Sequence, residues 1–132
     1  MNNINGEINT PGNYKELIVW QRSMELVVAV YELTKGYPKD ERYGLTAHTR
    51  KTAISVPSNI AEGRRRSTKK DYRQFLIRAY VSGAELETQL EIAKRLLFVD
   101  KLNFFHVDKL LEEVMKMLNK MVEPIFSEIT RC

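Results

Sequence analysis

The sequence predicts an all-α protein, an antiparallel up-and-down four-helix bundle whose single domain spans residues 14–132. Apolar residues recur at steps of three and four in four segments, no segment alternates in the manner of a strand, and the connections are short. The length of 132 residues is about one domain, and 43% hydrophobic with 29% charged residues is typical of globular chains. Residues 1–13, rich in Asn and Gly, have no such pattern and predict a flexible arm.

The first helix is predicted from Tyr14 to Lys35, where Gly36 and Pro38 end it. It carries two apolar seams that lie roughly 110° apart at about 100° per residue. One seam is Leu17, Trp20, Met24, Val27 and Tyr31, and the other is Val19, Leu26, Val30 and Leu33. A surface helix needs an apolar stripe only a little over about 100° wide. Either this helix is central to its own bundle, or one seam faces another subunit.

The second helix is predicted to begin near Leu45 and to turn a side of small residues to the core: Ala47, Ala53, Ser55, Ser58 and Ala61. Pro57 lies in its middle, where it removes a backbone hydrogen bond and clashes with the carbonyl of Ala53. We expect a continuous helix kinked at Pro57. The alternative is a break, with Asn59 capping a new turn and Glu62 reaching back to it.

The third helix, capped by Ser67 or Thr68, has the most regular pattern in the chain. Its seam is Tyr72, Leu76, Ala79, Gly83, Leu86, Leu90, Ala93 and Leu97. The fourth helix, about Lys101 to Ile129, repeats this rhythm in Val107, Leu111, Val114, Leu118, Met121 and Ile125. Pro124 should bend or fray its end. Both patterns are typical of bundle seams.

Six bases and one acid lie between Arg64 and Arg73, so this segment carries +5 while the remaining residues sum to −1. We call these bases the basic corner: Arg64, Arg65, Arg66, Lys69, Lys70 and Arg73. Arg50 and Lys51 add charge on the second helix, and Tyr72 supplies an aromatic ring. Arginine forks suit phosphate, so the pattern predicts nucleic-acid binding through backbone phosphates. The alternative is a solvated corner whose positive charges pair with acids of the same or a neighbouring subunit.

Motifs of enzymes and metal proteins are absent from the sequence. There is no Glu-x-x-His pair, no phosphate-binding glycine loop and no nucleophile elbow, and His48, His106 and Cys132 do not form a zinc set. We expect no cofactor, no metal and no catalysis, with both histidines at the surface. For Glu85, between the seam positions Gly83 and Leu86, we expect partial burial and a structural ion pair with an arginine; the alternative is a catalytic carboxylate.

Two long motifs resemble those of the ribosomal-RNA intervening-sequence proteins, also called four-helix bundle proteins. The first is Arg-Lys-Thr-Ala-Ile-Ser-Val-Pro-Ser-Asn-Ile-Ala-Glu-Gly over residues 50–63, followed by the arginines. The second is Ser-Gly-Ala-Glu-Leu-Glu-Thr-Gln-Leu over residues 82–90, continuing to Ile92 and Ala93. The opening residues 17–20 also fit, and the resemblance covers roughly residues 15–125. One departure is Val-Ser-Gly at 81–83, where the family has Gly-Ser-Leu.

The resemblance implies an up-and-down four-helix bundle of bacterial origin. Its relatives include accessory proteins of diversity-generating retroelements, which are homopentamers that bind nucleic acid and a reverse transcriptase. The resemblance therefore implies a homo-oligomer, a pentamer, with a basic surface. It carries no catalytic role to Asn59, Glu62 or Gly63, which are interpreted with Pro57 as a structural corner that presents the arginines.

The function expected is thus a non-enzymatic, oligomeric nucleic-acid-binding protein, with RNA favoured over DNA. The alternative is a protein-protein interaction scaffold whose bases meet an acidic partner. No apolar run reaches the roughly 20 residues that span a bilayer, and residues 1–13 lack the pattern of a signal peptide. We expect a cytoplasmic protein without membrane contact.

Overall fold

The computed structural model describes residues 13–96 and 100–130, except for the side chains at 101, 102 and 124–130. The helices are α1 (Ile18–Thr34), α2 (Leu45–Arg64), α3 (Lys69–Arg95) and α4 (Phe105–Thr130). Short 3-10 turns cover Asn13–Glu16, Lys39–Glu41 and Lys101–Phe104. The described residues contain no strand, so the predicted all-helical class is confirmed. The predicted arm lies outside the described residues, apart from residue 13.

Helix α1 buries only one of its two apolar seams within this chain. Val19, Leu26, Val30 and Leu33 are buried. In the other seam Leu17, Trp20 and Val27 are half-buried, whereas Met24 and Tyr31 are exposed. Val28 and Ile18 beside them are also exposed, at 61% and 56%. Helix α1 is therefore covered on one side and leaves an apolar face on the other.

Helix α2 runs without interruption through the buried Pro57. The alternative of a break is wrong, because Asn59 does not cap a new turn; its amide donates instead to the carbonyl of Ser55 at 2.8 Å. The predicted small-residue side is also only partly correct, because Ala47 and Ser58 are exposed. The residues that α2 buries are Thr46, Thr49, Ala53, Val56, Pro57, Ile60 and Gly63.

Helices α3 and α4 follow their predicted seams. Six of the eight α3 positions are buried: Leu76, Ala79, Gly83, Leu86, Leu90 and Ala93. Tyr72 is half-buried, and Leu97 lies outside the described residues. In α4 the positions Val107, Leu111, Val114 and Leu118 are buried, and Met121 is half-buried. Helix α4 continues past Pro124, and the side chain of Ile125 is outside the described part.

The four helices form one ring of neighbours around the core, in the order α1, α2, α3, α4 and back to α1. Contacts between α2 and α3 join Thr52 to Gln89, a hydrogen bond of 3.0 Å, and Gly63 to Phe75. Residue numbers rise along one helix as they fall along the other, so α2 and α3 run in opposite directions. The α2–α3 connection and the α1–α2 connection consequently lie at opposite ends of α2, about 30 Å apart for twenty residues.

Candidate nucleic-acid interface

The basic corner is built by two helix ends separated by only four residues. Helix α2 ends at Arg64, and beyond it the backbone N–H of Arg65 donates to the carbonyl of Glu62 at 3.2 Å and that of Arg66 to the carbonyl of Gly63 at 3.0 Å. Helix α3 begins after Thr68, whose hydroxyl accepts a hydrogen bond from the N–H of Asp71 at 3.1 Å. Of the two predicted caps, Ser67 and Thr68, the N-cap is thus Thr68. Because both ends are tied in this way, the intervening arginines belong to a short, defined turn.

Each of the three consecutive arginines lies over an aromatic ring. The guanidinium carbon of Arg64 is 6.0 Å from the ring centroid of Tyr72, and that of Arg66 is 4.6 Å from the centroid of Phe75. Arg65 lies 5.3 Å from the ring of Tyr14, which precedes α1. Cation–π contacts of this kind contribute about 0.5–1 kcal/mol at exposed sites. The rings therefore restrict where the charges of the corner point.

Burial at the corner favours the neutral phenol of Tyr72. Burial raises the pKa of Tyr72, although Arg64 opposes that rise. The Nε atom of Arg64 is buried and finds no hydrogen-bond acceptor in the described part of the chain. Arg66 forms an ion pair with Glu62 at 2.9 Å, one turn earlier on α2. Because both side chains are about half exposed, this pair orients Arg66 more than it stabilises the fold.

Gly63 sets the distance between the two helices at this corner. A methyl group added at Gly63 would lie 2.7 Å from the Cβ of Phe75 and 3.2 Å from the backbone oxygen of Tyr72. The glycine is needed for the close approach of α2 and α3, and the same approach brings Phe75 under Arg66. The absence of a side chain at Gly63 thus permits the packing that places Phe75 beside Arg66.

The remaining bases of the corner are free. Lys69, Lys70 and Arg73 are exposed on the first turns of α3. None of the three has an ion pair with another described residue. Asp71 between them is the one acid against these three cations, and the N-terminal end of α3 adds partial positive charge. Anions approaching this end of the bundle thus meet unneutralised charge.

Arg50 and Lys51 lie apart from the corner. Fourteen residues of α2 separate Arg50 from Arg64, which is about 21 Å along the helix. Arg50 donates from Nε to the hydroxyl of Thr34 at 2.7 Å and stacks over Tyr31 at 4.5 Å. Its guanidinium thereby ties α2 to the last turn of α1. Lys51 is exposed beside it. The structure therefore does not bring these two bases together with the other six.

Three residues that contact or adjoin the basic corner were not predicted as site residues from the sequence. Arg65 lies over the ring of Tyr14, and Arg66 lies over the ring of Phe75. Arg78 lies 4.5 Å from the centroid of the same Phe75 ring. The spacing of three between Phe75 and Arg78 is a signal for a pair on one helix face. The sequence holds no comparable signal for Tyr14, because its contact with Arg65 joins residues far apart in the chain.

The expectation for Glu85 is corrected. Its side chain is exposed and makes no ion pair with any residue that the structure describes. Glu85 follows the buried Gly83 by two positions, which turns it about 200° away from the core. Its closeness in sequence to the seam residue Gly83 therefore does not predict burial of Glu85.

Residues with catalytic chemistry are scattered over the surface. His48 and His106 are exposed, as predicted. Among the side chains that the structure describes, at 13–96, 100 and 103–123, no three His, Cys, Asp or Glu residues are grouped so that they could hold a metal ion. No helix within 13–96 and 100–130 is long and apolar enough to cross a membrane.

A second surface feature is the apolar face of α1. An open groove of about 740 Å³ runs between α1 and α4, and its lining includes Met24, Val28, Ala29 and Leu33. The exposed acids Glu25 and Glu32 also line it. The groove is on the side of α1 that the described residues leave uncovered.

The fold and the corner together define a class: a small four-helix bundle that presents a cationic, aromatic-supported turn at one end. The family model of the 23S rRNA-intervening sequence protein matches residues 15–120. The chain belongs to this family.

A solved structure supports the same fold. A protein of unknown function from the S23 ribosomal protein family of Bacteroides thetaiotaomicron is similar to the chain with a TM-score of 0.71 at 18% identity. The similarity covers 80% of this chain and 98% of that protein. No curated protein matches the chain.

Proposed function

We propose that the protein is a non-enzymatic, oligomeric nucleic-acid-binding protein that holds backbone phosphates at the basic corner. The observation that carries the proposal is the row of three arginines, each over an aromatic ring, beside three free cations. Guanidinium forks bind phosphate in two-pronged geometry, and neutralised phosphates dominate affinity that is independent of sequence.

The expected ligand is RNA above DNA, recognised by its backbone and shape. The basic corner supplies positive charge and positioned guanidiniums, which suit contacts with phosphates. It has no helix that projects into a groove to contact the edges of bases. The preference for RNA rests on the family to which the chain belongs, whose name refers to ribosomal RNA. A cytoplasmic location, where such ligands occur, is part of the proposal.

The test replaces Arg64, Arg65 and Arg66 together by glutamate and measures binding by fluorescence anisotropy. The probe is a fluorescein-labelled RNA hairpin with a stem of about 20 base pairs, longer than the roughly 16 that a double-stranded RNA-binding domain covers. A DNA duplex of the same sequence serves as the second ligand. The matched control replaces the exposed Lys109, Lys116 and Lys120 of α4 by glutamate, which lowers the net charge from +4 by the same amount.

We expect the wild type and the α4 control to bind the hairpin with an affinity that falls steeply between about 50 and 200 mM salt. The corner variant should lose binding while its circular dichroism spectrum stays helical. Wild-type affinity that does not change over this salt range would overturn the proposal. Equal losses in both variants would show that net charge alone, and not the corner, attracts the probe.

The oligomeric part of the proposal is supported by the apolar face of α1. Met24 is 40% exposed and Val28 61%, which is unusual for apolar residues at helical spacing on a single-chain bundle. The resemblance to homopentamers suggests five subunits. Light scattering at micromolar concentration should give an oligomer, and Val28→Glu should shift it toward the monomer. A monomeric wild type would refute this part.

A protein-interaction scaffold is the second candidate, favoured by the groove beside α1 that apolar residues and the acids Glu25 and Glu32 line together. In this case the bundle docks another protein, and the bases contact an acidic surface. Affinity capture of the wild type before and after nuclease treatment separates the candidates. Partners that survive nuclease and are lost in Val28→Glu would support the scaffold, whereas partners that nuclease removes would support nucleic-acid binding.

A further inference from the structure

Arg78 is an exposed arginine of α3 that shares an aromatic ring with the basic corner. Its guanidinium carbon lies 4.5 Å from the centroid of Phe75, and that of Arg66 lies 4.6 Å from the same centroid. The two charges therefore lie no more than about 9 Å apart, the sum of those distances. Arg78 has no ion pair with a described residue, and Arg66 has only Glu62.

Phe75 is a fixed support for these two side chains. It is half-buried where α2 and α3 meet, and its Cβ lies against Gly63. The ring thus belongs to the contact between α2 and α3. Its exposed part faces Arg66, which precedes it in the chain, and Arg78, which follows it. Two like charges within about 9 Å of each other raise the local positive potential, and only Arg66 has a described acid, Glu62, paired with it. The arrangement is therefore suited to an anionic group that both can reach.

We propose that Arg66, Phe75 and Arg78 form a phosphate-binding site for a nucleic-acid backbone. The two guanidiniums donate to one phosphodiester or to neighbouring ones, and Phe75 is the positioning residue that holds both. This inference rests on the proposed function and names Arg78, rather than Arg50 or Lys51, as the further base of the interface.

The site also gives the interface a direction. Arg73 and Arg78 are five residues apart, so they lie about 140° apart around α3. Lys70 and Arg73 are on one flank of the helix, and Phe75 and Arg78 are on the flank that meets α2. A bound strand that contacts both flanks must cross the N-terminal turns of α3.

The experiment compares two single-charge variants of the same helix, Arg78→Gln and Arg95→Gln. Arg95 is exposed and lies seventeen residues from Arg78, about 26 Å along α3. Binding of the labelled RNA hairpin is measured as a function of salt. Arg78→Gln should weaken binding about three- to tenfold and reduce the slope of log affinity against log salt by about one. Arg95→Gln should change neither quantity.

Phe75 is tested with two variants that keep every charge. Phe75→Leu should weaken binding severalfold and leave the salt slope unchanged, because the cations remain but lose their common support. Phe75→Tyr retains the ring and should bind as the wild type does. Thermal unfolding of each variant establishes that it is folded at the assay temperature, so that loss of affinity is not loss of structure.

The outcomes separate this inference from the proposed function. If the wild type binds and the glutamate variant of Arg64–Arg66 does not, but Arg78→Gln matches Arg95→Gln, the site is refuted and the function stands. A leucine variant of Phe75 that is folded and binds as tightly as the tyrosine variant would refute the positioning role. A wild type that does not bind the hairpin refutes the proposed function itself.

Discussion

Replacing Gly63 by alanine would put a methyl group into the contact between α2 and α3. The new carbon would lie 2.7 Å from the Cβ of Phe75 and 3.2 Å from Cδ1 of Tyr72. Neither neighbour is the free end of a flexible chain, so the helices must separate. Overpacking of this kind costs about 1–3 kcal/mol, and the gain from removing a helical glycine is about 0.5–1 kcal/mol. Because the 2.7 Å contact is with a Cβ that cannot rotate away, the cost lies near the top of its range, and we expect a net loss of about 2 kcal/mol of unfolding free energy.

The measurement is urea unfolding followed by circular dichroism, with Gly83→Ala as the matched control. A methyl group at Gly83 would meet the thioether of Met115, which is flexible and can rotate away. The control should therefore lie within about 0.5 kcal/mol of the wild type or be more stable. The alanine variant of Gly63 should also bind the RNA hairpin more weakly, because Phe75 moves although no charge changes. A variant as stable as the wild type, with the control as expected, would refute the reasoning.

Three further predictions concern single side chains. Thr68→Ala removes the N-cap of α3 and should cost about 1 kcal/mol in urea unfolding, whereas Thr68→Ser should restore it; equal stability of all three would contradict the capping role. Burial raises the pKa of Tyr37 to about 12, so its folded form holds the proton more tightly than the unfolded chain. Stability should therefore fall as the pH rises from about 10 to 12, by up to about 2–3 kcal/mol, and this loss should be smaller in Tyr37→Phe; identical pH profiles would contradict it. Arg50→Gln should cost about 1–2 kcal/mol of stability because Thr34 loses its partner, and its RNA affinity should change less than that of Arg78→Gln.

The helices with strong hydrophobic periodicity were the most predictable. In α3 the step of three and four marks the buried positions Leu76, Leu86 and Leu90, because a long helix with one covered side needs that repeat. In α2 the pattern is weak, since small and hydroxyl side chains carry little hydropathy. Thr49 is fully buried and Ala47 is exposed, and only the packing of neighbouring helices decides between them.

The charge of the corner was visible in the sequence, but its construction was not. A run of arginines followed by a cap predicts a cationic turn. The ring under Arg65 comes from Tyr14, about fifty residues earlier, and no local pattern announces such a contact. The separation of Arg50 from Arg64 could have been obtained from the rise per residue of a continuous helix. That result depended on whether Pro57 interrupts α2, which the sequence left open.

The stacked arginines affect the entropy of binding as well as its enthalpy. Immobilising a long, flexible side chain on binding costs about 0.5–1.5 kcal/mol. The guanidiniums of Arg64, Arg65 and Arg66 already lie over rings, so these side chains lose part of their conformational entropy on folding and not on binding. Lysine at these positions would preserve the attraction for an anion but not the flat stacking surface. After such a substitution the basic corner would keep its charge, but its side chains would have to be ordered each time an anion binds.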